Sequence, residues 1–202
     1  MKSQASVVPC AFCCNDTYAP YLAVSIASLV ANTERKVKIY IFDDGISPEN
    51  KERLSTLQAG HPNVEILFVP VNCKNIFSQF ADKSLMENSS FGRLLIPDLC
   101  EGKKIIYCDS DTIFLGDIGE FYDQQLNGRG IGAVPEANVL ASPTLNEVIH
   151  QRLGLGDEHV YFNAGTLLID RNHWNSNART RKLLEIAADI REKNVWGDQD
   201  VL

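Results

Sequence analysis

Apolar positions along the chain switch between strand-like runs and helical spacing. ASVVPCAFCC, from Ala5 to Cys14, is a continuous apolar run of strand length. The following NDTYAPYLAVSIASLVANT places apolar residues at helical spacing, with Pro20 where a first turn tolerates it. KVKIYIFDDG then alternates as a strand. SPENKERLSTLQAG opens with Ser47 as a cap and Pro48 at the first helical position and stops at Gly60, and NVEILFVPV is a third strand. Strand, helix, strand, helix, strand is the order of a parallel sheet with helices on its faces. Beyond a polar, irregular stretch from Asn72 to Asn88, SSFGRLLIPDLC predicts a short helix and GKKIIYCDSDTIFLGDI a strand. GRGIGAVPE and YFNAGTLLIDR predict two more strands, SPTLNEVIHQRLG a helix between them, and Asn175 to Lys193 one longer helix. Neither a repeat nor a linker divides the 202 residues, a length suited to one domain with a sizeable core. The fold class expected is α/β, a mostly parallel sheet flanked by helices in a single domain.

Charge and cysteine usage narrow the function. A formal net charge of -7 disfavours a nucleic-acid partner, which needs a basic face to displace condensed counterions. No apolar run approaches the roughly 20 residues needed to span a bilayer. The start of the chain carries one Lys and a short apolar run without a cleavage site, so it reads as a buried strand and not a leader. The six cysteines, at 10, 13, 14, 73, 100 and 108, lack the spacing of a disulfide scaffold. Cys10 and Cys13 form a C-x-x-C, but the odd spacing on a strand sends their side chains to opposite faces, and no second pair follows at zinc-site spacing. Buried thiols in a reducing cytoplasm are expected.

The strand GKKIIYC ends on Asp109, Ser110 and Asp111. In open α/β sheets ligands bind outside the carboxyl ends of the strands, where carboxylates one residue apart converge if the backbone leaves extension. Two like charges about 4 Å apart repel by about 1 to 4 kcal/mol, so the pair calls for a cation. Oxygen-only ligands favour Mg²⁺ or Mn²⁺, which could bridge the phosphates of a nucleotide. Ordinary turn chemistry also produces D-x-D, and the motif alone leaves that reading open.

Its neighbours extend the pattern. FCCNDTYAPYLAVSIASL, FGRLLIPDL, IIYCDSDTIFLGDI, YFNAGTLLIDRNHW and WGDQDVL, in that order, resemble the glycosyltransferases of family 8, which include bacterial lipopolysaccharide galactosyl- and glucosyltransferases and are related to glycogenin. The resemblance covers essentially the whole chain. It implies the Rossmann-like GT-A fold, Mn²⁺ (or Mg²⁺), a UDP-glucose or UDP-galactose donor, a glycan acceptor such as lipopolysaccharide, and transfer with retention of anomeric configuration. By that resemblance Asp109 and Asp111 are metal ligands facing, with Ser110, the donor's diphosphate and ribose. Cys13, Asn15 and Tyr18 match positions that hold the uracil and ribose, Asn15 standing where an aspartate is common and still able to accept through its carbonyl oxygen. A helix cap is the competing role for Asn15. Arg93 matches an arginine near the donor sugar and phosphate, against the alternative of a solvated helix residue. Asn163 and Ala164 match residues beside the donor sugar, with Gly165 allowing close backbone approach. Asp198 and Gln199 match the groups at the sugar hydroxyls and beneath the anomeric carbon, the catalytic positions. Glu136 matches an often acidic position, with a plain loop carboxylate as the other reading.

One part of the family pattern is missing. The H-x-x-G-x-x-K-P-W segment, which in the family supplies a third metal ligand and a lysine on the diphosphate, does not occur, and His61, His150, His159 and His173 stand in other contexts. The chain is therefore expected to be a truncated portion of a longer protein, a nucleotide-diphospho-sugar-binding domain over 1–202. Its location is expected to be cytoplasmic, with peripheral membrane association through the missing part. Two rivals are weighed. A haloacid-dehalogenase-type phosphatase also opens on D-x-D, but needs Thr or Val two residues after the second Asp, where this chain has Ile113. A catalytically incomplete UDP-sugar-binding fragment is the non-enzymatic alternative.

Overall fold

The computed structural model describes residues 7–77, 89–176, 179–189 and 196–202. In chain order the elements are β1 (Val8–Cys14), α1 (Ala19–Ala31), β2 (Val37–Asp43), α2 (Pro48–Thr56), β3 (Val64–Pro70) and α3 (Cys73–Phe77). A 3-10 segment, Ser89–Leu95, runs into α4 (Ile96–Leu99) and β4 (Lys104–Cys108), followed by α5 (Ile118–Tyr122), β5 (Ile131–Pro135), α6 (Ala137–Ala141) and α7 (Pro143–Leu153). The chain continues through β6 (Phe162–Asp170), α8 (Arg171–Ser176), α9 (Arg179–Asp189) and a last 3-10 turn, Gly197–Asp200.

The strands form one sheet in the order β3-β2-β1-β4-β6-β5. β1, β2, β3 and β4 pair in parallel, while β6 runs antiparallel to both β4 and β5. β1 is buried at every position, as a central parallel strand covered on both faces must be. Cys10, Phe12 and Cys14 pack with Leu22, Ile26 and Leu29 of α1 and Leu54 of α2 in one layer. Ala11 and Cys13 face the other, with Tyr107, Ile96 and Trp174. The strand period of two thus separates Cys10 from Cys13 as expected. All six cysteines are buried, and none of them forms a disulfide.

Burial pushes the thiols of Cys14, Cys73 and Cys100 up from 9.0 to about 12. A folded pKa raised above its unfolded value contributes stability that is complete below about pH 9 and lost as pH rises toward 12. At pH 8 the native thiols are therefore expected to resist iodoacetamide for hours and to react within minutes in 6 M guanidinium; fast native labelling would contradict this packing.

Local signals and tertiary packing disagree in a few places. Ser47 Oγ accepts from the Asn50 amide at 3.3 Å as a cap should, but α2 ends at Thr56, four residues before Gly60, whose φ of +81° closes the following loop. SSFGRLLIPDLC is a 3-10 segment followed by α4 and not one helix. The single helix expected from Asn175 is instead α8 and α9, and it starts earlier. Asp170 Oδ1 accepts from the His173 amide at 2.9 Å, so the last residue of β6 itself opens α8. Trp174 is then buried, its Nε1 donating to Thr180 Oγ1 at 2.9 Å. Within the predicted elements, residues 5–6, 78–88, 177–178 and 190–193 lie outside the described residues.

Candidate active site

β1 is flanked by β2 on one side and β4 on the other, so the direction of winding reverses between β1 and β4. Such a switch point leaves a crevice at the carboxyl ends of the strands. Here it opens into a cavity of about 650 Å³, bounded by the ends of β1 and β4, the start of β6, the residues after β5 and the last 3-10 turn. Cys13, Asn15, Tyr18, Arg93, Asp109, Ser110, Asp111, Asn163, Ala164, Asp198 and Gln199, all singled out from the sequence, line it together with Glu136.

Arg93 organises its floor. It is 5 % exposed, in the 3-10 segment that crosses the end of β1, and so is not the solvated helix residue of the alternative reading. Its Nε pairs with Asp198 Oδ2 at 2.5 Å, its Nη2 with Asp109 Oδ1 at 3.0 Å, and its Nη1 donates to the Ala164 carbonyl. One guanidinium thereby ties the 3-10 segment, the exit of β4, the start of β6 and the last turn into one unit. Burial works against its charge, but Tyr107, Asp198 and Asp109 outweigh that and hold it more firmly protonated than an ordinary arginine.

Strand alternation sets the geometry of the acidic pair. Asp109, one residue past the end of β4 and two after Tyr107, comes to the same side of the chain, and the Tyr107 hydroxyl donates to Asp109 Oδ1 at 2.6 Å. Ser110, on the other side of the backbone, is buried and donates to the Cys13 carbonyl at 2.8 Å, stitching the exit of β4 to the end of β1. Asp111 follows, exposed to the cavity. Asp109 Oδ2 faces Gly165, where a Cβ would lie only 2.6 Å away. The site thus offers two carboxylates backed by a buried cation, a donor set that fits a hard divalent metal. Among the described residues no group of three or more His, Cys, Asp or Glu is assembled, and none of the four histidines lines the cavity.

The two ends of the cavity differ. At one, Asn15 Oδ1 accepts from the Tyr18 amide at 3.1 Å, so its carbonyl oxygen already has one donor. This is a local bond just ahead of α1 and not the helix cap weighed for Asn15, since Tyr18 is the cap residue and makes no side-chain cap bond. Tyr18 is 48 % exposed and its ring lies 5.7 Å from that of Tyr21. At the other end Gln199 Oε1 accepts from the Ala164 amide at 2.9 Å, and Asn163 bridges Gly165 and Glu136, donating to Glu136 Oε2 at 2.8 Å. That bond, with help from Asn138 and Gln199 and against partial burial, holds the Glu136 carboxyl below its ordinary value. Tyr107, Asn138 and Trp196 also line the cavity and were not anticipated. Tyr107 reads in the sequence as one more apolar strand residue; only its place two positions before Asp109 hinted at its polar end.

Comparison with known proteins gives the arrangement a context. The model of "Glycosyl transferase family 8" matches residues 9–202. General stress protein A of Bacillus subtilis (strain 168) is 32% identical over 202 residues, covering 94% of this chain and 66% of the relative. A lipopolysaccharide 1,3-galactosyltransferase of Salmonella typhimurium is 29% identical, covering 89% and 53% respectively. The crystal structure of galactosyltransferase LgtC in complex with donor and acceptor sugar analogues superposes with a TM-score of 0.84 at 26% identity, covering 96% of this chain and 69% of that one. The chain therefore spans just under two thirds of one of these curated relatives and about half of the other.

Proposed function

The chain belongs to glycosyl transferase family 8, and from that premise we propose that it transfers a hexose, glucose or galactose, from a UDP-sugar to a glycan acceptor in lipopolysaccharide or other cell-surface polysaccharide synthesis, with retention of configuration. Its fold is the Rossmann-like GT-A sheet, and residues 1–202 are read as the donor-binding domain of the protein. The observation that carries this reading is the buried Arg93 at the switch point, which faces Asp109 on one side and Asp198 on the other at the bottom of a polar cavity of nucleotide-sugar size.

In this reading Tyr18 stacks on the uracil, with Cys13 and Asn15 beside the base and ribose. Ser110 fixes the turn that presents Asp109 and Asp111 to the diphosphate. Those two carboxylates would hold Mn²⁺ or Mg²⁺, whose charge, when bound, offsets the negative charge that builds on the departing UDP. Asn163, Ala164, Asp198 and Gln199 position the hexose. Asp198 is buried against Arg93, which lowers its nucleophilicity, and the Gln199 amide oxygen is occupied by the Ala164 amide. Both features support same-face displacement: the acceptor oxygen bonds to the anomeric carbon as the bond to UDP breaks, and the acceptor proton passes to the leaving phosphate oxygen. No helix among the described residues is long and apolar enough to cross a membrane, and a cytoplasmic protein working at the inner membrane face is the corresponding proposal.

Calorimetric titration of UDP with and without Mn²⁺, on this chain and on Asp109→Ala/Asp111→Ala, tests the reading. Mn²⁺ is expected to tighten UDP binding at least about tenfold in the parent and not in the double variant. Equal Mn²⁺ enhancement in both would remove the two aspartates from the metal site, and no UDP binding under either condition would remove the donor site itself.

A further inference from the structure

Tyr107 has a polar end that packing alone does not require. Its ring belongs to the sheet face formed with Ala11, Ile105 and Leu167, and the residue is 1 % exposed. Phenylalanine would fill that position as well, and a buried hydroxyl without a partner is costly. The hydroxyl meets Asp109 Oδ1 at 2.6 Å, the oxygen that also receives Arg93 Nη2 at 3.0 Å. The guanidinium in turn lies 4.5 Å from the centre of the Tyr107 ring.

Arg93 is one of two donors to Asp109 Oδ1, and its guanidinium also serves Asp198 and the Ala164 carbonyl. The hydroxyl bond adds a direction that a shared ion pair lacks. With both donors on Oδ1, the Asp109 carboxylate cannot turn about its Cβ–Cγ bond without breaking two hydrogen bonds. Its backbone is held as well, the amide donating to the Gly165 carbonyl at 2.8 Å. Oδ2 then stands on the Gly165 side, where the missing side chain leaves it room.

We propose that Tyr107 is a positioning residue whose hydroxyl locks Asp109 Oδ1 so that Oδ2 is presented to a divalent cation bound with a nucleoside diphosphate. The inference rests on the donor site proposed above and adds a residue that acts on the cation only through Asp109. Outer partners that orient a metal-binding carboxylate typically contribute about 10 to 100-fold in affinity.

Tyr107→Phe isolates the effect, since it keeps the ring in the core and beside Arg93 and removes only the oxygen. UDP is titrated calorimetrically with Mn²⁺ and with EDTA on the parent chain and the variant, and Mn²⁺ alone is titrated by electron paramagnetic resonance. The variant is expected to melt within about 5 °C of the parent, to bind UDP in EDTA within about twofold, and to lose about tenfold in affinity in Mn²⁺. Tyr107→Met, which also lacks the hydroxyl, is the second variant should Tyr107→Phe fail to fold, with the same selective loss expected. Parent-like affinity in Mn²⁺ would overturn the proposal, as would an equal loss with and without Mn²⁺, the mark of a merely structural role. If the parent chain shows no Mn²⁺ enhancement, the donor-site reading has failed, and that result is visible before any variant is made.

Discussion

Arg93→Ala is expected to be the most damaging single substitution in the chain. Removing the guanidinium leaves Asp198 buried and charged without its ion-pair partner and strips Asp109 and the Ala164 carbonyl of a donor. Breaking a buried pair from one side costs about 3 to 5 kcal/mol; the lower end applies here, because Asp109 is 39 % exposed and water can replace part of what it loses. Urea unfolding at pH 7.5 is expected to show a loss of about 3 kcal/mol, and UDP binding to disappear. Arg93→Lys keeps a charge but not the three-way fork, and an intermediate stability is expected. Parent-like unfolding of Arg93→Ala would show that Arg93 does not hold the floor of the site together.

Gly165→Ala is the second large effect, and its cause is steric. Gly165 lies in β6 and is not among the glycines with positive φ, so alanine is acceptable to the backbone. The added methyl would stand 2.6 Å from Asp109 Oδ2 and 2.9 Å from Asn163 Oδ1, so both side chains must move. Overpacking of this kind costs about 1 to 3 kcal/mol. The larger consequence is for binding, because the displaced oxygen is the one read as facing the cation, and Mn²⁺-dependent UDP affinity is expected to fall more than about tenfold. Gly154 supplies the contrast. It sits at φ +70° after α7 with nothing within 4 Å of the place a methyl would take, so Gly154→Ala is expected to lose about 1 kcal/mol of stability and leave UDP affinity unchanged. Equal UDP binding by Gly165→Ala and the parent chain would place the diphosphate away from the exit of β4.

The features that were legible in the sequence are those that local rules encode. Apolar periodicity placed β1, α1, β2, α2 and β3 because a central parallel strand is buried on both faces and a surface helix on one. Ser47 and Pro48 announced the start of α2 through the needs of free helical amides. The start of α8 was missed because its cap is Asp170, a residue the strand pattern had already claimed for β6. The role of Tyr107 was missed for a similar reason: in an apolar run its ring explains its presence, and the hydroxyl only acquires a partner once Asp109 is known to come to the same side of the chain.

By itself, the amino-acid sequence determined the α/β class, the separation of Cys10 from Cys13, the acidic pair at a strand exit and, through five motifs in order, the family. These are matters of period, composition and short-range spacing. Only the tertiary structure decided that Arg93 meets Asp109, 16 positions away, Ala164, 71 positions away, and the Asp198 that follows still later in the chain. No periodicity links those residues. The sheet order β3-β2-β1-β4-β6-β5 brings their elements to one crevice, and once they are there, a buried guanidinium must find every acceptor it can because water no longer supplies them.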